Sequence, residues 1–191
     1  METASFRCYS YNNSTLNFRA ILRGLQRKSL KFKQISLITF QQYLASRTPY
    51  ISDWSLYTPE PCLRIIRHCT DCDSPNDIVD LHRDYNIIKT IHEIIGSVLQ
   101  EEKSFLPFSE QVQSLKFLHR SIKQLLCELH TFLLVLGLHD VIHGFVGDVI
   151  NSPDWCVFES VSTRYERDVY LLRQVTAVSS EIYHRYSMLI P

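Results

Sequence analysis

The 191-residue sequence predicts an all-α fold: one domain, residues 1–191, built as a long-chain four-helix bundle of up-up-down-down topology with two long crossover loops. Three observations predict it. Apolar residues recur at helical steps in four segments, about 14–45, 74–102, 109–139 and 163–189. Each of these segments opens on a residue that can cap a helix. The second and third are joined by a short turn, whereas the other two connections are long and aperiodic. Simple up-and-down neighbours need only short loops, so the long connections point to chain crossing the length of the bundle.

The first helix follows a loose arm over residues 1–13, with Ser14 as its cap. Phe18, Ile21, Leu22, Leu25, Phe32 and Tyr43 share one face, interrupted by Ser29, Ser36 and Thr39. Leu30, Leu37 and Leu44 lie on the flank, as a wider core, a kink or a strip facing a partner. From Arg47 to Asn76 the period stops, and Thr48-Pro49, Thr58-Pro59 and Glu60-Pro61 predict extended backbone before each proline.

Ser74-Pro75-Asn76-Asp77 starts the second helix: serine caps it, proline fits its first turn, and aspartate completes a capping box. Ile78, Leu81, Tyr85, Ile88, Ile91, Ile95 and Val98 or Leu99 form its apolar face, and Lys103–Phe108 is the turn to the third helix. In that third helix Leu115, Leu118, Ile122, Leu125, Leu129, Phe132 and Leu136 fall at alternating steps of three and four, which hold one apolar seam. Leu126, Leu133 and Leu134 widen the seam, and Ser109 caps the helix with Glu110 at its positive end. Residues 140–160 form the second long connection, with a short helix at Val141–Ile150. Thr163 and Glu166 read as a capping box for the last helix, whose face is Leu171, Val175, Val178, Ile182, Tyr186 and Leu189.

Composition narrows the function classes. The chain is 45% hydrophobic and 21% charged, with 20 basic and 20 acidic residues. This is a globular composition, and no bulk charge points to nucleic acid. No apolar run approaches the ~18 residues of a membrane span, so no membrane insertion is expected. No glycine-rich loop and no nucleophile signature is present, so the expectation is no enzyme, no cofactor and no small-molecule substrate. The N-terminal stretch has no apolar core of the signal-peptide kind: a leader has been removed or the chain never had one. The overlapping sequons at Asn12 and Asn13 favour a secreted, glycosylated chain.

Several clusters carry weaker chemistry. His68-Cys69-Thr70-Asp71-Cys72, with Cys62, has metal-ligand types, but no second close pair follows, so no metal site is expected. Disulfides or free thiols are the other readings of Cys8, Cys62, Cys69, Cys72, Cys127 and Cys156, and six cysteines allow about 15 pairings. Cys127 points away from the seam of its helix. His139-Asp140 and His143 have acid–base types without a nucleophile. Asp154-Trp155-Cys156 reads as a loop anchor or a receptor contact. The basic run Arg19, Arg23, Arg27, Lys28, Lys31 and Lys33 reads as a solvated face, a receptor face or a polysaccharide site.

A family resemblance covers roughly residues 16–189. Thr39 to Tyr50 (TFQQYLASRTPY), with Trp54, Pro59 and Pro61 after it, resembles the end of the first helix and the crossover of helical cytokines in the interleukin-6 superfamily. The nearest branch is that of ciliary neurotrophic factor and cardiotrophin-like cytokine. Asp84-Tyr85-Asn86-Ile87-Ile88, Phe105-Leu106-Pro107 and the Leu115–Leu138 block resemble its middle helices. Tyr170 to Val175 (YLLRQV) resembles its last helix. The resemblance implies a secreted, extracellular ligand that clusters cell-surface cytokine receptors, including a glycoprotein-130-type subunit. The other class considered is an intracellular all-α adaptor or regulatory binding protein without catalysis.

The family uses three surfaces. The Phe-x-x-Lys positions at the start of the last helix read Ser162 and Tyr165 here, with Phe158 or Tyr165 as the aromatic and no lysine. Near the end of that helix the family's Arg and, four residues on, Asp read Glu181 and Arg185, a swapped pair expected to touch along its own helix. The surface for the shared signalling subunit lies on the first and third helices. By helical angle, Arg23, Arg27 and Gln34 lie opposite the core on the first helix, and Gln113, Lys116, Arg120 and Gln124 do so on the third.

Overall fold

A computed structural model describes residues 18–50, 77–138 and 161–189. These are helical, with no strand among them: α1 is Phe18–Arg47, α2 is Asp77–Phe105, α3 is Glu110–Val135 and α4 is Val161–Met188. The architecture is that of a four-helix bundle. The broad interfaces are α1 on α3, α1 on α4 and α2 on α3, with a slighter one between α2 and α4. Both expected crossovers, the arm with Ser14, Ser74 and the short helix at Val141–Ile150 lie outside the described residues.

The α3 seam is the centre of the core. Leu115, Leu118, Ile122, Leu125 and Leu129 are fully buried. They meet Ile21, Leu25 and Phe32 of α1, Ile88, Ile91 and Ile95 of α2, and Leu172, Val175 and Ile182 of α4 in one cluster. Ser29, Ser36 and Thr39 are buried beside these apolar residues. Each of the two serines donates to a carbonyl three residues back, and Ser36 also meets Ser179 of α4 at 2.7 Å, so burial leaves no hydroxyl stranded there.

The helix ends differ from the sequence expectations in four places. Thr48-Pro49 is not extended but opens a 3-10 turn, Thr48–Tyr50. Proline's fixed φ suits such a turn, and the Thr48 hydroxyl donates back to the Leu44 carbonyl. Helix α2 runs on to Phe105, three residues past the expected end, and leaves a turn of only four residues before α3. Helix α3 begins as expected, with Ser109 Oγ accepting from the Val112 amide, but ends at Val135 and not at 139. Gly137 adopts a φ of +75°, its amide donates to Leu134, and the Leu138 amide donates to Leu133, a Schellman stop. Leu136 therefore lies past the seam and is 38% exposed. Thr163 is not a cap, because Val161 and Ser162 are already helical.

Contacts between helices fix which ends meet. Near the end of α1, Tyr43 meets Glu102, near the end of α2, and Asp168, near the start of α4. Further back along α1, Lys33 lies 5.0 Å from the Tyr183 ring, towards the end of α4. Thr39 and Gln42 meet Ser114 at the start of α3, and Phe18 packs on Phe132 at its end. Arg185, late in α4, reaches back to Asp84, early in α2.

Candidate functional site

The residues expected to face outward on α1 and α3 lie on two helices that pack against each other. Arg23, Arg27 and Gln34 are exposed on α1, Gln113, Lys116 and Arg120 are exposed on α3, and Gln124 is half-buried. One bond ties the two helices at Gln124: Lys31 Nζ donates to Gln124 Oε1 at 3.2 Å. Glu128 of α3 lies against Gly24 of α1, where a Cβ would collide with its carboxyl group. Burial raises the Glu128 pKa, opposed by Lys28 and Arg27. This carboxyl fits against the α1 backbone only because residue 24 has no side chain.

Alongside this basic face runs a groove of about 480 Å³ between α1 and α3. Its walls include Ile35, Ile38, Gln42, Gln113 and Phe117. Ile38 is 52% exposed and Phe117 59%. The helical-angle argument missed both, because it sought polar positions opposite the core. The signal was present: each is a large apolar residue off the seam of its own helix.

The surfaces on α4 differ from the expectations. Ser162 is exposed, and Phe158 lies outside the described residues. Tyr165 is only 8% exposed, its ring 4.0 Å from the Arg47 guanidinium and 6.2 Å from the Tyr50 ring. Packed this way, it offers a partner no open aromatic face. Among the described residues, the exposed aromatics at this end are Tyr50, Phe105 and Phe108. Near the end of α4, Glu181 is half-buried, and Arg185 does not pair with it. Arg185 Nε instead donates to Asp84 Oδ2 at 3.3 Å, because the buried Asp84 carboxylate needs a cation more than a half-exposed Glu181 does.

A second group of residues, not found from sequence, is a buried ionic hub linking α1, α2 and α4. Tyr43 Oη donates to Glu102 Oε1 at 2.6 Å and lies 2.9 Å from Asp168 Oδ2. Arg47 Nη2 donates to both Glu102 oxygens, at 3.0 and 2.9 Å, and Arg164 adds a third cationic contact at 3.4 Å. Arg167 bridges Asp168, at 2.7 Å, and Glu101, at 2.7 Å. Burial raises the Asp168 pKa to about 6 against the pull of Arg167, and burial with the two carboxylates raises that of Tyr43 far above its usual value. With Arg47, Glu102, Arg164, Arg167 and Asp168 all buried, the hub reads as a structural joint.

Asn12, Asn13, five of the six cysteines, the His68–Cys72 cluster, His139, Asp140, His143 and Asp154 to Cys156 lie outside the described residues. Among the described residues there is no group of three or more side chains able to hold a metal ion, and no helix long and apolar enough to cross a membrane. No family model, no curated protein and no solved structure matches this chain.

Proposed function

We propose that this protein is a secreted helical cytokine that acts by binding, and that its α1/α3 face engages a glycoprotein-130-type receptor subunit. The observation that carries the reading is that face itself. Lys116 and Arg120 are exposed beside Phe117 on α3, at the groove that contains Ile38 and Phe117 and has Glu110 in its wall, and Arg23 and Arg27 are exposed further back along α1. An apolar centre within a charged rim is the anatomy of a protein interface. The excess of cations fits a receptor surface with an apolar knob among acidic residues.

The proposed topology is up-up-down-down. It is supported by the way the ends meet: the ends of α1 and α2 share Glu102 and Tyr43, and both lie at the start of α4. The stretches 51–76 and 139–160 would supply the two crossovers. An extracellular location is supported by the sequons and by Cys127, which is disulfide-bonded. Disulfides persist in oxidising compartments.

The test is a charge reversal at Arg27 and Arg120 together, with binding to the immobilised receptor ectodomain as the readout. The reading expects at least about ten-fold weaker binding with an unchanged unfolding midpoint, because exposed helix positions contribute little to stability. If the double reversal leaves affinity unchanged while Glu181→Arg abolishes it, recognition lies on α4. A count of six free thiols in the native protein would favour the intracellular adaptor.

A further inference from the structure

Midway along the α2–α3 interface two half-buried histidines stack. The His92 and His119 rings lie 4.0 Å apart, centroid to centroid, and 21° from parallel. The backbone makes room for the pair. Gly96 follows His92 by one turn, and a Cβ there would stand 3.3 Å from His119 Nε2. A bulkier residue would push the His119 ring out of the stack. The core on either side is apolar, with Ile91, Ile95, Leu115 and Ile122 all buried.

We propose that the His92–His119 stack is an acid-opened latch between α2 and α3, closed while both imidazoles are neutral and released as the pair takes up protons. The geometry sets the direction. Neutral rings at this spacing attract through stacking and dispersion, whereas two charged rings repel each other and partial burial leaves each with less water than a charge needs. The surrounding charges add to this. From α3, His119 and Lys123 bear on His92; from α2, Lys103 bears on His119, as does Lys123 on its own helix. Glu93, next to His92, is exposed and interacts with Lys89. Burial, His119 and Lys123 together lower the His92 pKa from 6.5 to about 4, and burial followed by the two lysines lowers that of His119.

Both folded-state values fall below the unfolded one. The pair therefore contributes stability that is present above about pH 6.5 and is lost as pH falls towards about 4. After a discount for the half-exposed rings, His92 alone corresponds to a roughly ten-fold fall in the folded-to-unfolded ratio between about pH 7.4 and pH 5. The latch does not depend on the receptor reading: it is a property of two helices and two rings.

The experiment uses the full chain. Histidine ring signals are followed by NMR from about pH 8 to pH 4, with amide exchange of α2 and α3 measured alongside. Urea unfolding is then compared at neutral and acid pH for wild type and for His92→Phe/His119→Phe, which keeps two stacked rings without the protons. The latch expects both histidines to titrate below 6.5, His92 near 4, and amide exchange at this interface to quicken at acid pH. It also expects the double variant to lose about ten-fold less of its folded-to-unfolded ratio on acidification than wild type. Titration of both rings near the ordinary value, or equal acid losses in wild type and variant, would overturn it. If the double variant does not fold, His119→Gln is measured in its place, and the wild-type titration decides without any variant.

Discussion

At one end of the bundle three arginines, three carboxylates and Tyr43 are held together under α1, α2 and α4; midway along α2 and α3 two histidines are held among lysines. Both are polar groups inside a helical core, and they answer pH in opposite senses. Asp168 has its folded pKa raised by burial, so its contribution to stability is full below about pH 4 and is lost as pH rises through about 6. The histidines have theirs lowered, so their contribution is lost as pH falls. Burial disfavours charge in both places. The difference comes from the chemistry: an acid becomes neutral by taking a proton, an imidazole by losing one.

The hub is also the more fragile of the two. Removing a partner from a buried ionic group leaves the remaining charges unpaired, whereas removing a neutral ring leaves a cavity. Glu102→Ala should accordingly have the largest effect, costing about 3–5 kcal/mol in urea unfolding, because Arg47, Arg164 and Tyr43 all lose the same acceptor. A loss under about 1 kcal/mol would show that water replaces the carboxylate, and the contrast with the histidine seam would fall.

Leu125→Ala gives the apolar reference for both regions. The side chain is fully buried in the α3 seam, and its truncation should cost about 2–5 kcal/mol by lost transfer energy and residual cavity. An unchanged unfolding midpoint would mean that the seam is not the centre of the core. This loss should be independent of pH from about 5 to 8, unlike changes in either polar region, since no ionisable group is removed.

Asp168→Asn sharpens the comparison. It keeps the shape and a hydrogen-bonding oxygen but cannot ionise. Wild type should become less stable relative to this variant as pH rises from about 4 to about 7, by an amount of order 1–3 kcal/mol. A difference that grows instead as pH falls would mean that Arg167 wins over burial, and that Asp168 is an ordinary ionised partner.

Much of the fold was legible in the sequence, and the reasons are local. The α3 seam follows from steps of three and four, and Ser109 caps α3 because serine accepts from the third amide beyond it. The early end of α3 was also legible, in Gly137, but the apolar run through Leu138 outweighed it. The hub was not legible. Tyr43, Glu102 and Asp168 are far apart in sequence, and each has the composition of an ordinary amphipathic helix position. Only the packing of three helices brings them within hydrogen-bond reach. Tyr165 was misjudged for the same reason: a tyrosine early in a helix looks available until Arg47 from another helix covers its ring. The exposure of the polar positions on α1 and α3 was legible because helical angle alone decides which residues point away from a core. The apolar groove was missed because that argument says nothing of what lies between two helices.

The groove provides the weakest expected perturbation of stability. Ile38 and Phe117 are as apolar as the seam residues, yet each is more than half exposed. Much of their surface stays in water in the folded chain, so truncation recovers little desolvation and opens no enclosed cavity. Ile38→Ser with Phe117→Ser should therefore shift stability by only about 0.5 kcal/mol per site, against several for Leu125→Ala. The same double variant should weaken receptor binding if the groove takes an apolar knob, since buried apolar anchors dominate interfaces. A stability loss near that of Leu125→Ala would make the groove part of the core. Unchanged stability with unchanged affinity would make it open surface without a partner, and the proposed site would contract to its basic rim.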